Sequence, residues 1–233
     1  MQINQETMAV LKNYATINSN FVFKNGEYIS TIAEAKNILS VYKLDTPFEK
    51  EVGIYDMPQF LSACALVSNP RFEFKDDYVN IKSESGLENI TYYYSEPELL
   101  THPTEKMIES AMNAEQNDIL VSFELTQENL GRLRQAASAL GHTDLVISKK
   151  ADQVNVSLSV SDCSNTTANS FAIDVPAQSN INEFNLVLNI ANLKILSGQT
   201  YQVNILEKLI AHINNSNLSY WIALEKSKST FNK

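Results

Sequence analysis

One order of elements occurs twice in this chain of 233 residues, and that repetition constrains its fold more than any other feature. At ~100° per residue, Met8, Val10, Leu11, Tyr14, Ala15 and Ile17 gather on one side of a helix predicted over 5–17. Gln5, Ala9, Lys12, Asn13 and Thr16 gather on the other. A second amphipathic helix, capped by Thr126 and running to Leu140, turns Leu130, Leu133, Ala136, Ala137 and Leu140 inward. Its outer side carries Gln127, Gly131, Arg134, Gln135 and Ser138. A shift of 122 positions brings Met8, Leu11 and Ala15 onto Leu130, Leu133 and Ala137, and Lys12 onto Arg134.

The segments after each helix correspond as well. Asn25-Gly26 predicts a hairpin between 21–23 and 27–32. Strands follow near 38–44 and 52–55. Asp56, with Pro58 in the first turn, predicts a mostly buried helix whose apolar run extends through Val67. A hairpin over 71–75 and 78–82 turns at Asp76-Asp77, and 90–94 is a further strand. In the second half a strand over 118–125 precedes the helix. Hairpin strands at 144–149 and 154–160 follow it, then strands at 170–175 and 184–188. Asn189 caps a short predicted helix through Leu196, closed by Gly198, which a shift of 133 lays onto the helix at Asp56. Strands at 201–206 and 218–224 end the pattern, with a turn at 214–217 between them. Residues 95–117, with Pro97, Pro103 and five glutamates, read as an exposed connector holding one helical turn near 107–112. The expectation is two similar α+β domains, 1–110 and 111–233, each running helix, hairpin, two strands, short helix, hairpin.

Composition narrows the function classes. The apolar share is 44% and the charged share 19%, as in globular chains, which excludes a disordered chain, a collagen and a coiled-coil rod. Six Gly and six Pro leave little room for long irregular segments. The net charge is −9, so tight neutralisation of many phosphates is excluded. Residues 1–110 hold 16 acidic and 9 basic residues, and 111–233 hold 11 and 9. Neither half is basic, yet Lys12, Arg132, Arg134 and Lys194 fall on predicted helices that carry few other charges. They are either ordinary solvated positions or a sparse cationic lining.

Catalytic patterns do not occur. His102, His142 and His212 have no partner at metal-ligand spacing, and no phosphate-binding glycine loop, nucleophile elbow or HExxH is present. Asp56 reads as a helix cap and Asp76-Asp77 as a turn. Cys64, in an apolar run, reads as a buried thiol, and its separation from Cys163 argues against a zinc site or a disulfide framework. The chain opens on polar residues and has no apolar run near the ~18 residues of a membrane span, so a reducing cytoplasmic setting is expected. No cofactor or metal is expected.

Several segments resemble one family. The run from Leu11 to Ser19, Leu-Lys-Asn-Tyr-Ala-Thr-Ile-Asn-Ser, is similar to the first helix of the sliding clamps of T-even-type tailed phages. Ile54-Tyr55-Asp56 with Phe60-Leu61 resembles the second helix. Phe184, Asn189-Ile190-Ala191-Asn192-Leu193-Lys194 and Gly198 resemble the last, and Tyr220-Trp221-Ile222-Ala223-Leu224-Glu225 resembles the closing strand. The resemblance implies a DNA-clamp fold in which three chains of two domains close a ring, with helices lining the hole and antiparallel sheets outside. It implies sequence-independent binding of duplex DNA, with Lys12, Asn13, Thr16, Arg132, Arg134 and Lys194 facing the duplex. It implies a processivity factor without catalysis. The partners it implies are the phage DNA polymerase, an ATP-dependent clamp loader and late-transcription factors, in the cytoplasm of the infected bacterium. A polymerase or loader peptide would meet Ile32, Ile38, Leu99, Leu100 and Trp221. The seam between copies would join 90–94 to 170–175, through Tyr92, Tyr93, Tyr94, Phe171 and Ile173. A β-rich baseplate or tail protein, and a small enzyme with an unrecognised site, remain the alternatives.

Overall fold

The computed structural model describes residues 1–113, 118–165 and 167–232. The chain divides into two compact units, Met1–Thr104 and Glu105–Lys233.

The first unit runs α1 (Gln5–Ile17), β1 (Phe21–Phe23), β2 (Gly26–Ile32), β3 (Ile38–Phe48), β4 (Val52–Ile54), α2 (Met57–Ala65), β5 (Arg71–Phe74), β6 (Tyr78–Lys82) and β7 (Asn89–Tyr93). Asn4 caps α1 by accepting from the Thr7 amide at 2.7 Å. Thr7, Val10, Leu11, Tyr14 and Ile17 form its buried stripe. The Tyr14 hydroxyl, buried with them, accepts a hydrogen bond from Ser40 Oγ at 3.0 Å. Phe23 packs on Phe21 and Phe48 with ring centres 4.8 and 4.6 Å away, and Phe60 and Phe72 continue this aromatic core.

Two expectations change here. The Asn25-Gly26 turn does not join β1 to β2. β1 pairs with β4, Phe21 opposite Ile54, and β2 pairs with β3. Phe21, Val22 and Phe23 are all buried, on both faces of the strand, so β1 needs cover that an exposed hairpin cannot give. α2 buries only Met57, Phe60, Leu61 and Cys64, one stripe of its surface, and Leu66 at its end is 75% exposed. The Asp56 cap is as expected, accepting from the Gln59 amide at 2.8 Å.

The connector holds more structure than one turn. A 3-10 turn at Pro97–Leu99 precedes α3 (Glu105–Asn113), nine residues with none buried. The end of the expected connector, 114–117, lies outside the described residues.

The second unit continues with β8 (Ile119–Leu125), α4 (Gln127–Leu140), β9 (Asp144–Lys149), β10 (Val156–Ser161), β11 (Phe171–Val175), β12 (Ala177–Ser179), β13 (Phe184–Asn189), β14 (Tyr201–Leu206), β15 (Ile210–Asn214), β16 (Leu218–Ala223) and β17 (Thr230–Phe231). One sheet has the order β11-β10-β9-β13-β17, and β12-β8-β14-β15-β16 are hydrogen-bonded in that order in another. Pro176 lies between β11 and β12, where the chain passes from one sheet to the other. The expected helix through Leu196 is only a 3-10 turn over Ile190–Asn192, with Asn189 accepting from the Ala191 amide. Beyond it Leu193 and Ile195 are buried while Lys194 and Leu196 are half-exposed. That period of two is the burial of an extended chain, not of a helix.

The last residues strap onto β13. Glu225 N–H donates to Val187 O at 2.7 Å, Val187 N–H donates to Ser229 Oγ, and Thr230–Phe231 pair as β17. Lys228 Nζ donates to both oxygens of buried Asp144, at 2.9 and 2.8 Å. Burial pushes the Asp144 carboxyl up, but the bonds from Lys228 and the Cys163 amide outweigh it and leave the group below the usual carboxylate range.

The repeat is visible in the pairings. In each unit the strand after the long helix (β1, β9) pairs with the strand before the short helical segment (β4, β13). In each unit a hairpin stands between them (β2-β3, β10-β11) and a three-stranded meander follows (β5-β6-β7, β14-β15-β16). Even the entry matches: β8 pairs with β14, and Gln2 bridges Arg71 on β5.

Candidate functional site

The helices carry the candidate nucleic-acid surface. On α1, Lys12 and Thr16 are exposed and Asn13 is half-buried. The Thr16 hydroxyl donates to Asn13 O at 2.7 Å, so part of this polar face is tied to its own helix. Lys12 stands on the rim of a groove of about 630 Å³ beside α1 and α2 that Met8, Leu61 and Cys64 also line.

The cations of α4 separate. Arg132 and Arg134 are two positions apart, which puts them ~160° apart around a helix. Arg134 turns to the segment after the 3-10 turn. It donates to Leu193 O at 2.6 Å, Ile195 O at 3.3 Å and Ser197 Oγ at 2.9 Å. The two carbonyls are reachable together because residues i and i+2 of an extended chain point the same way. Burial of the Arg134 guanidinium pulls its pKa down from the ordinary arginine value. Arg132 turns the other way and is exposed, with its guanidinium carbon 5.3 Å from the centre of the Phe171 ring on β11. Directly opposite the buried stripe stand Glu128, Gln135 and Ala139, with Arg132 on one flank of them and Arg134 well round on the other. Lys194 is half-exposed in the extended segment and not on a helix.

The other expected sites lie as follows. Ile32, Ile38, Leu100 and Trp221 are buried, and of the five peptide-pocket residues only Leu99, 81% exposed on its 3-10 turn, is open to a ligand. Trp221 stacks on His212 with ring centres 5.0 Å apart. At the expected seam, β7 and β11 are each the outermost strand of their sheets. Tyr92 is half-buried, its hydroxyl donating to Asp56 O and Gln59 Oε1, both at 3.2 Å. Tyr93 is 69% exposed. Phe171 and Ile173 are half-buried on the face of β11 under α4, and Tyr94 lies just past β7 with its amide on Asp77 O. Among the described residues no group of three His, Cys, Asp or Glu is placed to hold a metal ion, and no helix is long and apolar enough to cross a membrane.

Arg134's structural duty and Arg132's lean toward β11 were missed by sequence reasoning, which grouped both with the DNA-facing positions. The two-residue spacing was the available signal, since it forbids a shared face.

Two similar units, each a long helix laid on antiparallel strands, define a DNA-clamp fold. A solved A. fulgidus PCNA, bound to the C-terminal region of FEN-1, superposes with a TM-score of 0.66 at 10% identity, covering 94% of both chains. Two family models cover the sequence in turn: a DNA polymerase processivity factor model matches residues 4–109, and a gp45 sliding clamp C-terminal model matches 122–226. The sliding clamp of Vibrio phage KVP40 is 28% identical over 225 residues, covering 97% of this chain and 99% of that one. The sliding clamp of Escherichia phage RB69 is 26% identical, covering 97% of each. The chain belongs to the phage sliding-clamp family of DNA polymerase processivity factors.

Proposed function

We propose that three copies of this chain close into a ring around duplex DNA, through β7 of one copy against β11 of the next. The observation that carries the reading is the pair of unfinished edges. Both strands have five residues, and both alternate exposed with half-buried side chains: Ile90 and Tyr92 on β7, Phe171 and Ile173 on β11. The unpaired N–H and C=O groups of such an edge are a ready template for a neighbouring strand, and pairing also extends its apolar face. The two domains per subunit are the two units, and their helices line the hole. Lys12, Asn13 and Thr16 on α1, with Lys194, then meet phosphates sparsely, and a net charge of −9 keeps the contact loose enough to slide.

The ring tethers the phage DNA polymerase and catalyses nothing itself. It is opened by an ATP-dependent loader and works in the cytoplasm of the infected bacterium, where it also serves late transcription. A partner peptide docks at Leu99, exposed on its 3-10 turn. Light scattering across a dilution series tests the ring. A species of three chain masses that falls to one on dilution supports it, and Tyr93→Asp is expected to shift that dissociation to higher concentration. A chain that stays monomeric at every concentration, with loader and circular DNA present, overturns it. An open-ended polymer points instead to a virion component.

A further inference from the structure

Arg132 is held to one side of the outward face of α4. Opposite the buried stripe of α4 stand Glu128, Gln135 and Ala139, and Arg132 flanks them on the side of β11, lying over Phe171 on the outermost strand of its sheet. The contact with the ring holds the exposed guanidinium at the edge of β11, and a guanidinium is suited to a carboxylate. The β7 edge offers one. A recess of about 360 Å³ beside β7 is lined by Tyr55, Asp56, Gln59 and the outer residues of the strand, with one acid and no base. Tyr92 joins β7 to this recess, since its hydroxyl donates to Asp56 O. Asp56 therefore stands over β7 on the face that α2 covers, as Arg132 stands over β11 on the face that α4 covers. Pairing the two strands brings them ~4.8 Å apart and joins these two helix-bearing faces.

We infer that Arg132 is a seam residue: across the β7–β11 junction its guanidinium bonds the Asp56 carboxylate of a second copy. The inference rests on the ring reading above. One Asp56 oxygen caps α2 and the other is available to the guanidinium. The lower dielectric of the junction strengthens their attraction, set against the cost of desolvating both groups.

A double-mutant cycle tests it, read as the concentration at which trimers dissociate and as the rate of subunit exchange between labelled rings. Arg132→Ala and Asp56→Asn, which keeps a capping side chain, are each expected to raise the dissociation concentration at least ten-fold. The double variant is expected to be no weaker than the worse single one. Arg132→Lys, lacking the planar fork, is expected not to restore assembly. If the wild type trimerises and both single variants leave dissociation and exchange unchanged, the inference fails and the ring stands. The same holds if the two effects simply add, or if Arg132→Ala instead flattens the salt dependence of DNA association. If the wild type never trimerises, the ring reading itself fails.

Discussion

Gly53 lies on β4 against the chain that follows β7: Ser95 N–H donates to Gly53 O at 2.9 Å. A Cβ at this position would stand 2.4 Å from Ser95 O and 2.9 Å from Leu100 Cδ1. The leucine can swing aside but the carbonyl cannot, so Gly53→Ala is expected to cost ~1–3 kcal/mol in urea unfolding. It should also loosen the turn that carries Leu99. A second residue sets a pH response. Burial holds the His212 ring neutral, with its pKa down at about 4. Below its ordinary value near 6.5 the unfolded chain takes up a proton that the folded chain refuses. Stability is therefore full above that value, falls as pH drops toward about 4, and the loss levels off below, reaching ~3 kcal/mol. His212→Phe, which keeps a ring against Trp221, is expected to remove this component when unfolding free energies are compared from pH 7 to pH 4.

Among the elements, the segment after the 3-10 turn at Ile190–Asn192 depends on a side chain from elsewhere. Leu193, Ile195 and Ser197 are held to α4 by Arg134 alone among the side-chain bonds described here. Arg134→Ala is expected to cost ~2 kcal/mol, by loss of charge-assisted bonds to two carbonyls. Its signature is faster amide exchange over 193–197 while β9 and β13 stay protected. This segment also marks where sequence reasoning stopped. The long helices were legible to the residue, because α1 and α4 each have a capping side chain and a continuous apolar stripe. The repeat was legible because both helices begin the same plan. Strand partners were not: Phe21-Val22-Phe23 looks the same in a hairpin or against β4, and only tertiary burial decides. β15 escaped notice because its buried His212 interrupts the apolar alternation with a polar letter. The candidate site was legible only as a set of cations on helices, since a wheel tells inside from outside but not which flank a neighbour occupies.

For the whole molecule, an acidic body with few exposed cations predicts a salt response half as steep as a full set of four cations per chain would give. In the proposed trimer, Lys12 and Lys194 supply about six phosphate contacts, and the logarithm of DNA association should fall with log salt at a slope near −5. Were Arg132 and Arg134 also on phosphates, about twelve contacts would double that slope. Fluorescence anisotropy of preassembled trimer on duplex, from low to physiological salt, separates the two.

The strap over residues 225–231 has a bearing on synthesis. A ribosome releases β9 and β13 well before residues 225–231, because chains emerge from the N-terminal end. Until then Asp144 has no Lys228 beside it and β13 has no outer neighbour. The nascent second unit thus carries an open strand edge and a buried carboxylate without its lysine, and both are closed only when residues 225–231 follow. Completion of this sheet waits for residues 225–231, so a message truncated before codon 225 yields a unit that lacks this latch.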